Sequence, residues 1–257
     1  MLEQIVEPLL IWYEKNKRSL PWREDPTPYH VWISEIMLQQ TRVEAVKGYY
    51  ARFIDALPEI EDLAVCPEEK LLKLWEGLGY YNRVKNMQKA AREVMELYGG
   101  KLPADYDKLL GLSGIGSYTA GAVASIAFGI SKPAVDGNVL RVITRITENS
   151  SDILKQSTKR EMEKCLEKIM PVHAPGAFNQ SLMELGATVC VPNGMAKCEC
   201  CPVAEFCMAR AHDTVLEYPK KTAKKPRKIE EKTILIIQNG QEFAIQKRPE
   251  NGLLAGL

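Results

Sequence analysis

No apolar run in this 257-residue chain approaches the roughly 20 residues that a helix needs to cross a bilayer. The first residues, Met1-Leu2-Glu3-Gln4, also lack the basic and apolar regions of a secretory signal. Both absences predict a cytosolic protein with no membrane partner. Excess charge is missing too: 34 basic against 33 acidic side chains leave a net charge of +1, so affinity for a polyanion has to come from a local patch. Sustained strand alternation is absent before residue 230. What the chain does have is 46% hydrophobic residues, enough to bury substantial cores, and seven cysteines. In a cytosolic setting these argue for metal chemistry or buried thiols rather than disulfides.

Helical periodicity fills the gap left by strands. Leu2, Ile5, Val6, Leu9 and Tyr13 share one face of a helix over 2–16. A basic, proline-punctuated connection follows, containing Pro21-Trp22-Arg23. Residues 31–41 then read as a strongly apolar helix with one carboxylate, Glu35, in its middle. Further helices are predicted near 43–56, 68–76, 83–98, 105–111, 117–128, 157–170 and 175–189, with another opened by Asp136-Gly137-Asn138. The body is thus predicted to be all-α. Residues 220–228 hold six basic groups and no acid, which suits a solvated linker or a segment lying on a phosphate backbone. Beyond it, Thr233–Ile237 and Glu242–Gln246 flank Asn239-Gly240, the signature of a type I′ hairpin. One hairpin is marginal alone, so the chain reads as stopping inside a truncated β-containing domain.

Two stretches carry chemistry. In Leu112-Ser113-Gly114-Ile115-Gly116-Ser117-Tyr118 the two glycines can take positive φ, and the helix that follows points unpaired N–H groups and its positive dipole end out of the turn. That is an anion site, most naturally for phosphate, or else a close-packed helix corner that binds nothing. Cys190, Cys198, Cys201 and Cys207 are separated by seven, two and five residues. Four thiolates in so short a loop can complete one tetrahedral zinc or one cubane cluster, and the single two-residue spacing favours iron and sulfur. Cys200 is an extra thiol able to compete as a ligand, whereas Cys66 and Cys165 read as small core residues. Asp136, just before an apolar-periodic helix, is a good N-cap.

Pro21-Trp22-Arg23, the run Ser34 to Thr41, Gly77-Leu78-Gly79-Tyr80-Tyr81, the glycine turn, Val135-Asp136-Gly137-Asn138-Val139 and the cysteine loop occur in one order. In that order they resemble the helix-hairpin-helix DNA glycosylases with an iron-sulfur loop, and among them the adenine DNA glycosylases of the MutY type. Two departures are visible: Ser113 stands where the hairpin usually has proline, and the first cysteine gap is seven residues where many relatives have six. The resemblance implies a two-lobed all-α fold. Residues 21–130 would form a six-helix barrel with the hairpin, and 1–20 with 131–213 an iron-sulfur lobe. A basic linker at 214–232 and the start of a Nudix-like, 8-oxoguanine-reading domain at 233–257 would follow. It also implies a [4Fe-4S] cluster on Cys190, Cys198, Cys201 and Cys207, and a hairpin of Gly114, Gly116 and Ser117 that grips DNA phosphate beside an extruded nucleotide.

By the same resemblance Arg23, Gln40, Leu78 and Tyr80 contact DNA or base, the last three as wedges in the stack; packing under a loop is the competing reading of Tyr80. Glu35, desolvated among Val31, Trp32, Ile36 and Leu38, would be a general acid with a raised pKa. Asp136 would face a cationic sugar, and Tyr118 and Asn138 would position sugar, water or acid. Relatives of the endonuclease III kind carry a lysine where Tyr118 stands, so a monofunctional enzyme acting on adenine paired with 8-oxoguanine or guanine is implied, a monomer acting on duplex DNA in a bacterial cytosol. A glycosylase-lyase for oxidised pyrimidines and a non-catalytic, metal-stiffened DNA-binding module are the rival readings.

Overall fold

The computed structural model describes residues 2–192, 194–223, 229, 231 and 233–246, and separates into two units, Met1–Thr222 and Ala223–Leu257. The first unit is helical among its described residues. After a 3-10 turn at Leu2–Ile5 come α1 (Val6–Asn16), α2 (Pro21–Glu24), α3 (Pro28–Leu38), α4 (Val43–Ala56), α5 (Ile60–Val65), α6 (Glu68–Trp75) and α7 (Asn82–Tyr98). The chain continues through α8 (Tyr106–Leu110), α9 (Ser117–Ile126), α10 (Gly137–Thr147), α11 (Gln156–Glu167), α12 (Pro175–Thr188) and α13 (Met208–Ala211). No helix among the described residues is long and apolar enough to cross a membrane.

The elements differ from the sequence reading where tertiary contacts override local pattern. The connection after α1 contains a helical turn, α2, started by Pro21, whose missing N–H costs nothing at a first helical position. Helix α5 fills the interval between the helices predicted near 43–56 and 68–76, because a Glu59–Asp62 capping box starts it and Leu63 buries it. Helix α3 begins three residues early, capped by Thr27, and stops at Leu38: Gln40 takes a left-handed φ of 60°.

Two hydrophobic cores organise the first unit. One gathers Trp32, Ile33 and Met37 of α3 with Phe53, Leu63, Leu71, Trp75, Met87 and Leu109. Phe53 and Trp75 meet edge-on at 6.0 Å, a geometry worth about 0.5–1.5 kcal/mol beyond burial. The other core joins Ile5 and Leu9 to Val139, Ile143, Leu166, Phe178, Leu182 and Leu185. Helix α9 belongs to the first core and packs on α12 of the second, so the two are joined where α3, α9, α10 and α12 approach one another.

Residues 214–222, expected in the linker, are instead tied to this unit: Arg145 Nε donates to the Tyr218 carbonyl at 3.0 Å, Ile153 N–H to that of Lys220 at 3.2 Å, and the Thr222 hydroxyl to Asp152. Much of the remaining basic stretch, residues 224–228, lies outside the described residues, as do 247–257.

In the second unit β1 (Gln238–Asn239) pairs with β2 (Glu242–Phe243) in antiparallel register Gln238↔Phe243 and Asn239↔Glu242. The turn is therefore centred on Gly240-Gln241, one residue later than Asn239-Gly240, and Gly240 supplies the positive φ. Thr233–Ile237 is not a strand, and Ile234 to Ile237 are exposed. Among the described residues this hairpin gives those side chains no second layer to pack against.

Candidate functional site

Between α3, α9, α10 and α12 lies a cavity of about 630 Å³. Its lining includes Trp22, Arg23, Glu35, Gln40, Tyr118, Asp136, Gly137 and Asn138, together with Arg18, Lys159, Gln180 and Glu184. Glu35 is the one carboxylate of the largely apolar α3, lines this cavity and is 6% exposed. Burial pushes its carboxyl up to about 7, against the hydrogen bond that the Tyr118 hydroxyl donates to it; the nearby Asp136 charge adds to the rise and Arg23 opposes it. The Tyr118 hydroxyl is itself raised well above its ordinary value, first by burial and then by the two carboxylates.

Asp136 is both N-cap and cavity wall. Its Oδ1 accepts the Val139 N–H at 2.8 Å and its Oδ2 accepts Asn138 Nδ2 at 2.7 Å. Burial raises its carboxyl, and those hydrogen bonds and Arg141 pull it back. Arg141 is buried, donating to the Asn138 side chain at 2.8 Å, the Gly186 carbonyl at 2.7 Å and the Cys190 carbonyl at 2.8 Å, so the aspartate's support runs to the cysteine loop. Close packing here needs Gly186, since a Cβ there would sit 2.6 Å from that of Asn138.

Four cavity residues escaped the sequence reading. Glu184 of α12, 1% exposed, receives Arg18 at 2.5 and 3.1 Å and Arg23 at 2.8 Å, while Arg23 Nε reaches Gln180 at 3.0 Å. Burial would raise Glu184, but the two guanidinium groups hold it below its ordinary value. Glu184 is the one charged side chain in Pro175–Thr188, and that was the available signal. Lys159 of α11 brings an amine to the cavity, 3.9 Å from Glu163, which the lack of a lysine at position 118 had hidden.

The hairpin runs from α8 to α9. Leu112 and Ile115 are buried and leave Gly114 and Gly116 outside. Gly114 has φ 75°, and a Cβ there would meet Asn86 at 2.7 Å; Gly116 is extended at φ −95° and needs no glycine for its conformation, though a Cβ there would project into open space. No side chain caps α9, which leaves its first N–H groups for a ligand. Ser117 Oγ donates to Glu163 at 2.8 Å. Ser113 donates its N–H at 2.8 Å and its hydroxyl at 2.6 Å to Glu93, two bonds a proline could not make. Of the three wedge candidates, Gln40 and Tyr80 are exposed, Tyr80 at 65%, whereas Leu78 is buried in the first core.

Cys190, Cys198, Cys201 and Cys207 line one apolar pocket with Arg145 and Arg210, and Cys200 is exposed outside it. Arg145 donates to the Cys190 sulfur at 3.2 Å. Burial pushes the Cys201 thiol up to about 12. Among the described residues no three Cys, His, Asp or Glu side chains close around a point fit for a single metal ion. The four sulfurs around one pocket form an all-sulfur donor set, the ligand chemistry that iron-sulfur clusters use.

Residues 33–171 match the HhH-GPD superfamily of base excision DNA repair proteins, and the chain belongs to that superfamily. Within it, the chain is similar to adenine DNA glycosylases: 38% identical to that of Buchnera aphidicola subsp. Acyrthosiphon pisum (strain APS) over 94% of this chain and 69% of the relative. It is 36% identical to the Homo sapiens protein and 39% to that of Arabidopsis thaliana, over 97% of this chain in each case, spanning about half of their lengths (55% and 46%). Among solved structures, a thermostable thymine-DNA glycosylase matches with a TM-score of 0.73 at 29% identity, over 82% of this chain and 97% of that one. A trapped endonuclease III-DNA covalent intermediate matches with 0.70 at 25%, over 82% and 96%.

Proposed function

We propose that the chain is a monofunctional DNA glycosylase that hydrolyses the bond between adenine and deoxyribose in duplexes where adenine faces 8-oxoguanine or guanine. The observation that carries this reading is the pairing of a protonatable Glu35 with a hydrogen-bonded Asp136 on one cavity of base-plus-sugar size. Glu35 gives its proton to a ring nitrogen of the extruded adenine, the C1′–N9 bond breaks with its electron pair leaving on the base, and the sugar becomes oxocarbenium-like. Asp136 faces that cation as a fixed anion, and water adds at C1′, its proton passing to the Glu35 carboxylate, to leave an abasic site. Tyr118 holds the Glu35 carboxyl in place, Asn138 holds Asp136, and Arg23 lines the base pocket.

The uncapped start of α9, with Gly114, Gly116 and Ser117, takes the phosphate beside the extruded nucleotide, and Gln40 and Tyr80 meet the stack it leaves. The first lobe is assigned to 21–130 and the second to 1–20 with 131–213, following the two cores. Cys190, Cys198, Cys201 and Cys207 would hold a [4Fe-4S] cluster, which when bound cross-links the loop after α12 to α13 and stiffens the second lobe.

Duplexes with adenine opposite 8-oxoguanine, guanine or thymine, treated with alkali after incubation, provide the test. Adenine loss from the first two is expected, with iron and sulfide in the purified protein; no adenine loss, or zinc alone, refutes the corresponding part. Lys159 gives the glycosylase-lyase reading an observation of its own. A borohydride-trapped adduct dependent on Lys159 would favour that reading.

A further inference from the structure

Arg83, the second residue of α7, makes more directed contacts than any role in helix α7 requires. Its Nη1 donates to the carbonyls of Ile36 at 2.9 Å, Met37 at 3.3 Å and Gln39 at 2.6 Å. Its Nη2 donates to those of Leu78 at 3.1 Å and Gly79 at 3.2 Å. The first three belong to the end of α3 and the residue just before Gln40; the last two just precede Tyr80. Helix ends leave carbonyls without intrahelical partners, and here a single guanidinium from a distant helix supplies them. Its Cζ lies over the Trp75 ring at 5.3 Å and the Tyr80 ring at 5.7 Å from their centres, and Trp75 itself donates to the Gly79 carbonyl at 3.0 Å.

Both loops are conformationally costly: φ is 60° at Gln40 and 48° at Tyr80, with glycines 77 and 79 at 95° and 69°. Non-glycine residues hold such angles only where surrounding contacts over-determine them. Arg83 Nε and the indole N–H of Trp32 stay unpartnered, and both residues line a cavity of about 140 Å³ whose wall also includes Gln39 and the hairpin's Ser113 and Gly114. The guanidinium is thus aimed at the loops even though one of its own donors is left over.

We propose that Arg83 is a positioning residue that clasps the Gln40 loop to the Tyr80 loop, so that the two exposed side chains meet the duplex as one rigid unit and extrude the nucleotide together. This rests on the reading of the chain as a base-extruding glycosylase. Lysine keeps the charge but offers a compact ammonium with three donors in place of a planar fork spanning two loops. Arg83→Lys therefore changes geometry and leaves the attraction to phosphate in place.

The test follows 2-aminopurine fluorescence in a duplex where that base replaces adenine opposite 8-oxoguanine, using the full chain. Arg83→Lys should reduce the extruded fraction about tenfold or more, the effect of losing one charge-assisted hydrogen bond. In a Gln40→Ala/Tyr80→Ala background the same substitution should cost less than about threefold, because the clasp then has nothing to position. Wild-type extrusion in Arg83→Lys, or an undiminished loss in the wedge-less background, overturns the proposal. A second measurement needs neither variant nor DNA: amide hydrogen exchange of the wild-type chain should show residues 39–41 and 78–81 opening as one cooperative unit. Independent opening of the two loops overturns the clasp. Absence of fluorescence change with wild-type protein, alongside concerted exchange, refutes the glycosylase reading and leaves the clasp standing.

Discussion

Glu35 on α3 and Glu184 on α12 line the same cavity, are buried to nearly the same degree, and titrate in opposite directions. Glu35 faces a tyrosine hydroxyl and a second carboxylate and rises to about 7; Glu184 faces two guanidinium groups and falls. Burial sets the cost of a charge in each case, and the partners decide whether that cost is met. One wall of the cavity thus offers a proton near neutrality while the other keeps a fixed charge network. The proposed chemistry, a proton delivered beside a developing cation, would use both.

The comparison can be broken from either wall. Glu35→Gln removes the proposed proton donor and is expected to slow single-turnover base release by about 10²–10⁴-fold. The same substitution should stabilise the fold above neutrality. The native carboxyl titrates near 7 against 4.5 for the ordinary group, so its contribution is complete below about pH 4.5, is lost as pH rises through 7, and amounts to about 3 kcal/mol. Denaturant unfolding at pH 8 should show that gain in the Gln variant, and at pH 4 no difference; equal stability at pH 8 would contradict the buried-acid assignment.

Glu184→Gln is expected to do the reverse. It strands Arg18 and Arg23 and should cost about 3–5 kcal/mol at pH 7. Because the Glu184 carboxyl is held low, its stabilising effect is present above the ordinary carboxylate pKa and fades as pH falls through its native value. Unfolding curves of wild type and variant should therefore differ at pH 7 and draw together as pH falls through the native value of Glu184. The smallest effect belongs to Tyr118→Phe, which removes a bond that lowers Glu35: the pH at which single-turnover activity falls should move upward, with a loss of about 1–2 kcal/mol in rate at most. A downward move would show that Tyr118 does not stabilise the Glu35 carboxylate.

Much of this was legible in the chain because it is local. Helical periodicity located most of the long helices, the glycine spacing located the hairpin, and a carboxylate amid apolar residues marked Glu35. Asp136 as an N-cap is likewise a short-range fact. The hairpin in the second unit was legible in kind but shifted by one residue, since turn residues fix register only when a sheet holds the strands in place.

What sequence alone determined, then, is the set of chemical parts: two acids, a glycine turn with an uncapped helix, four cysteines in a short loop, and a chain of amphipathic helices. Tertiary structure alone decided which parts meet. Arg18 reaches Glu184 across 166 residues, Arg83 reaches the end of α3 across 44 to 47, and Arg141 joins Asn138 to the cysteine loop. Such contacts leave no periodic trace, because a long arginine side chain can satisfy carbonyls and carboxylates from almost any neighbouring helix. Leu78 was placed inside, against its expected outward role, by the same logic: an apolar residue is drawn into whichever core its loop lies over.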